Sequence, residues 1–163
     1  MKTFFTSVLV LLLFMGVSAQ SSFKAETATE YNDFFVEHQN TIHAGLQIFN
    51  EDVAINLDTA RFDLEVVNVL VLLVLDDVMA AEVYSGGAEL KEAYLELFKF
   101  YDVVTKEHFV EILDLLSLTD MSEEQNLRLQ TLLSDVTERE IPLDQRVKDA
   151  QEAFAKLHNF TLN

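Results

Sequence analysis

Four histidines and many carboxylates are the residues in this chain with the widest chemical reach, since it has no cysteine. A carboxylate di-metal centre in a helical bundle needs Glu-x-x-His pairs, which put both ligands on one helix face. Three positions before His38, His43, His108 and His158 stand Phe35, Asn40, Thr105 and Ala155, so none of them qualifies. His38 and His43 are separated by about 140° around a helix and diverge, and the His-Glu-x-x-His zinc pattern is missing. Asn50 to Asp58 has oxygen ligands but lacks the central glycine of a calcium loop. There is no thiol, no Gly-x-Ser-x-Gly elbow and no phosphate-cradling glycine loop. Ser85-Gly86-Gly87 reads as a helix stop. Asp76-Asp77 follows an apolar run, where a desolvated carboxyl would have a raised pKa; the plainer expectation is that the helix emerges into water there. No catalytic residue, metal site or cofactor is expected, and the chain does not read as an enzyme.

The aromatic side chains remain. Ten phenylalanines and four tyrosines follow residue 19, with no tryptophan. At helical spacing such residues build a core, or they line a cavity for an acyl chain or another apolar molecule. Phe34 and Phe35, together with Phe98, Tyr101 and Phe109, are expected to face the apolar run around Val69–Leu73. Phe34, Phe35, Val69, Leu73, Phe98, Tyr101 and Phe109 are then the expected walls of any ligand chamber. Asn159-Phe160-Thr161 is a sequon, which makes Asn159 a possible N-glycosylation site.

Helices must position these residues, because proline and glycine are too scarce for the turns of an antiparallel sheet. Tyr31, Phe34, Phe35, His38, Ile42, Leu46 and Phe49 recur at three- and four-residue steps, predicting a helix from about Glu26 to Phe49. A second helix is expected from near Thr59 to just before Gly86-Gly87. Its middle, Val66–Leu75, is apolar except for Asn68 and reads as a central helix enclosed by its neighbours. A third pattern spans Ala88 to Leu118, with Thr105 as a possible break and N-cap. Ser122-Glu123-Glu124-Gln125 is a capping box, and Ile141-Pro142 reads as the opening of a last helix. The expectation is an all-α, single-domain antiparallel bundle of five or six helices around one central hydrophobic helix.

Residues 1–19 have the pattern of a cleaved secretory signal peptide: Lys2, an apolar stretch from Phe4 to Val17, then the small-residue site Val17-Ser18-Ala19. The helical domain is then 20–163, and the protein is expected to be secreted. Ten residues from Val66 to Leu75 would cover about 15 Å as a helix, half a bilayer core, so no membrane span is expected. A formal charge of −17 argues against nucleic acid, whose binding rests on Lys and Arg. The possible partner is an apolar small molecule or lipid. The alternative is a ligand-free extracellular interaction or self-associating module, and the oligomeric state is left open.

From Ser122 onward, Leu127-x-Leu129, Leu132-Leu133-Ser134-Asp135 and Leu143-Asp144-Gln145-Arg146, leading into Val147 and Leu157, give a rhythm that resembles the SXP-type secreted antigens of nematodes. That resemblance covers the C-terminal quarter. It implies an exported, cysteine-free helical protein with paired C-terminal helices, and it assigns no functional residue.

Overall fold

The computed structural model describes residues 22–162, and the expected signal peptide lies outside them. The described residues are helical throughout their ordered elements, with no strand among them. Helix α1 spans Ala28–Val53 and opens with a capping box in which Thr27 accepts from the Glu30 amide while Glu30 reaches back. Helix α2 spans Leu57–Ala80, its N-cap being Asn56, whose side chain accepts from the amides of Asp58 and Thr59. Helix α3 (Ala88–Val103) runs without interruption through a π-helical turn, Val104–His108, into α4 (Phe109–Leu116). Helix α5 is Glu123–His158, opened by the expected box of Ser122 and Gln125.

Among the described residues these helices form four rods, where five or six separate helices were expected, and two local features account for the difference. Thr105 does not cap a new helix. Its hydroxyl donates to the Tyr101 carbonyl at 2.8 Å, four residues back in the same helical run, and does not cap the amides that follow. Pro142 lies inside α5 and does not start a helix. Leu132, Val136, Leu143, Val147, Ala150 and Phe154 keep one inward phase on both sides of it, and that shared stripe outweighs the cost of an interior proline, about 3 kcal/mol. The paired C-terminal helices implied by the resemblance are therefore one rod.

Helix α2 also stops earlier than Gly86-Gly87. The Glu82 amide donates to the Phe23 carbonyl at 2.8 Å, and the Lys91 ammonium donates to the carbonyls of Met79 (3.0 Å) and Ala81 (2.6 Å). These contacts satisfy the exposed end of the helix.

Contacts across the rods fix an up-down-up-down order. Gly45 of α1 lies against Val67 and Leu70 of α2, and Arg61 of α2 reaches Asp114 of α4. Tyr101 of α3 bonds Glu140 of α5, and Arg146 of α5 binds Glu89 and Glu96 of α3. Tyr31, Phe35, Ile42, Val67, Val71, Tyr94, Leu97, Phe98 and Leu113 fill the core.

The apolar run of α2 is not enclosed on all sides, contrary to the sequence expectation. Val67, Val71, Val74 and Val78 are buried, whereas Val69 is 57% and Leu73 43% exposed. Among the described residues, α2 has neighbours on one side and none on the other. No helix among the described residues is long and apolar enough to cross a membrane.

Candidate functional site

The seven expected wall residues fall into three places. Phe35 and Phe98 are fully buried; Phe35 stacks on Tyr94 with ring centroids 5.1 Å apart, and Tyr94 meets Phe98 at 5.6 Å. These rings pack against one another in the interior. Phe34 is half-buried and stacks on Phe23 at 4.0 Å, anchoring the segment that precedes α1. Val69 and Leu73 face solvent. Of the seven, Tyr101 and Phe109 share a cleft of about 230 Å³, lined also by Leu46, Asn50, Phe100, Val104, Val136 and Glu140. The spacing of α1 and α3 placed the aromatic stripes inward; no sequence signal placed the π-helical turn that sets Val104 and Phe109 at this cleft.

Polar chemistry in that cleft centres on the Tyr101 hydroxyl. It donates to Glu140 Oε1 at 2.9 Å and lies 2.9 Å from His43 Nε2. Burial, reinforced by the adjacent Glu140 carboxylate, pushes the phenol far above its ordinary pKa. It stays protonated at neutral pH and acts as a donor that ties α1, α3 and α5 together. Burial also raises the Asp144 carboxyl, against an opposing pull from His43. A second cleft, of about 540 Å³ and open to solvent, lies between α3 and α5 and is lined by Phe100, Val103, Pro142 and Leu143 among charged Glu96, Lys99, Glu138 and Arg139. Among the described residues no three His, Asp or Glu side chains are disposed to hold a metal ion.

The outer face of α2 is an apolar feature open to a partner. Phe62 is 61% exposed, and Val66, Val69, Leu72, Leu73 and Met79 are also exposed. No charged residue falls between Glu65 and Asp76. The run that is apolar all round carries two seams on opposite sides of one helix. The inner seam is Leu64, Val67, Val71, Val74 and Val78; the outer one is Phe62, Val66, Val69 and Leu73. The 4-3-4 spacing of the outer seam was readable in the sequence, but nothing there said that a neighbour would fail to cover it.

Compared with family models, curated proteins and solved structures, the chain matches none.

Proposed function

We propose that this chain is an exported, non-enzymatic interaction module that docks through the outer face of α2. The observation that supports this reading is the solvent-facing seam of Phe62, Val66, Val69 and Leu73, free of charge between Glu65 and Asp76. Contiguous exposed apolar surface of this kind marks interaction sites, whereas apolar residues scattered singly do not. Export rests on the pattern of residues 1–19, and the resemblance of the C-terminal quarter to secreted antigens agrees with it. The test compares the wild type with V69E/L73E in the binding of an environment-sensitive apolar dye. The wild type is expected to enhance the fluorescence and the variant to lose most of that enhancement while keeping its helical circular dichroism. A wild-type protein that leaves the dye dark removes the proposal.

A second reading is favoured by the cleft at Tyr101 and Phe109, which takes an apolar molecule smaller than an acyl chain. Its volume of about 230 Å³ is below the roughly 300 Å³ at which ordinary small-molecule pockets begin. Displacement of a fluorescent fatty acid should accordingly be absent. Saturable uptake, lost in Tyr101→Trp, would instead support a lipid carrier.

A further inference from the structure

We infer that the cleft at Tyr101 and Phe109 binds a small organic cation, an ammonium group on a one-ring apolar body, with the Glu140 carboxylate as its counter-charge. The inference rests on the cleft reading above and adds the chemical class of the ligand.

Most of the lining is aliphatic or aromatic, and Glu140 is the one charged residue in it. Among the described residues no Lys or Arg forms an ion pair with Glu140. Arg139, next to it in the chain, lines the second cleft instead, where its guanidinium lies 5.4 Å from the centre of the Phe100 ring. Tyr101 donates its single phenolic proton to Glu140 Oε1, so His43 Nε2 meets the phenol oxygen as a donor. An ionised carboxylate accepts at about four positions. Glu140 therefore keeps acceptor capacity in a cleft that has no cation of its own.

A charge taken out of water needs a partner, and that requirement sets the sign of the ligand. An anion would be repelled by Glu140, whereas an ammonium finds its counter-charge there. Ring faces attract cations as well as apolar groups, and Phe100, Tyr101 and Phe109 line the same space. Exposed Asn50 supplies a neutral side-chain carbonyl for a second N–H. Size sets the body of the ligand. An apolar cavity of about 150 Å³ accepts benzene, so about 230 Å³ has room for one ring and a two-carbon amine arm.

A formal charge of −17 draws every cation toward the surface, so the test separates this cleft from that general field. Titration calorimetry on the protein compares 2-phenylethylamine with neutral 2-phenylethanol and anionic 3-phenylpropionate. The amine is expected to bind about tenfold or more tighter than the alcohol, and the anion not measurably. Glu140→Gln keeps an acceptor for the Tyr101 hydroxyl and hence the fold. It should bring the amine down to the level of the alcohol and leave the alcohol unchanged. Glu138→Gln removes the same charge from an exposed position outside this cleft and should alter neither. Equal loss in the two variants would assign the amine to the general field and overturn the inference, as would a Glu140→Gln protein that keeps the wild-type preference. Amine and alcohol bound alike, or the anion preferred, would also overturn it while the cleft reading survives for another ligand. A protein that takes up none of the three removes the inference and the cleft reading together.

Discussion

Two polar side chains, half-buried His38 and buried Tyr101, carry the sharpest tests at the scale of single residues. Burial lowers the His38 pKa, with Asp77 and Glu37 pulling the other way, and its ring lies edge-on to Phe34 at 4.4 Å. The unfolded chain takes up this proton near pH 6.5, whereas the folded chain resists it. Stability from neutral His38 is thus present above about pH 6.5 and is lost as the pH falls further. The melting temperature of the wild type should drop more than that of His38→Gln between about pH 7 and about pH 5. The Asp63 and Asp144 carboxyls, both raised by burial, act in the opposite sense; both proteins contain them, so they cancel in the comparison. Tyr101→Phe removes the hydroxyl that holds Glu140 and His43. Glu140 is half-buried and can turn toward water, so the loss should be about 1.5 kcal/mol in urea denaturation, at the low end for a bond to a charged partner.

Within elements, close approach competes with intrinsic preference. Gly45 costs α1 about 1 kcal/mol relative to alanine. A Cβ there would sit 3.1 Å from Val67 Cγ2 and 3.3 Å from Leu70 Cδ1. Val67 is buried and stiff at its branched Cβ, so Gly45→Ala should overpack the contact and destabilise by about 1 kcal/mol net. Pro142→Ala has the opposite sign, because Pro142 is exposed and its ring interrupts α5 without filling the core. It should stabilise by up to about 3 kcal/mol in the same denaturation assay. Side chains that repeat at three and four residues made α1 and α3 readable in advance, and the box at Ser122 and Gln125 made the start of α5 readable. The phase of α2 was not readable, because a run apolar on every side has no preferred face and only its neighbours decide which side is wet. Pro142 and Thr105 misled for a related reason: each has a strong local meaning that packing on either side overrode.

For the molecule as a whole, charge imbalance is the dominant electrostatic fact. With 28 acidic and 11 basic residues, mutual repulsion of carboxylates outweighs the few exposed ion pairs, such as Arg128 with Glu111 at 2.7 Å. Raising sodium chloride from about 10 mM to about 150 mM should therefore raise the melting temperature, since screening acts on the larger, repulsive sum. The class of fold was legible because composition and periodicity are properties of the whole chain. The proposed docking face was not, because it depends on which neighbours the bundle lacks. The wide turn at Val104–His108 has a further consequence for the tolerance of the fold to changes in length. A π turn is one surplus residue accommodated in a helix, so deleting exposed Lys106 or Glu107 should tighten the coil to ordinary pitch and leave Phe109, Ile112 and Leu113 aimed where they already point. The same deletion a few residues earlier would swing everything downstream by about 100°. Nature's own length variants of this chain, should any arise, are tolerated at this turn first.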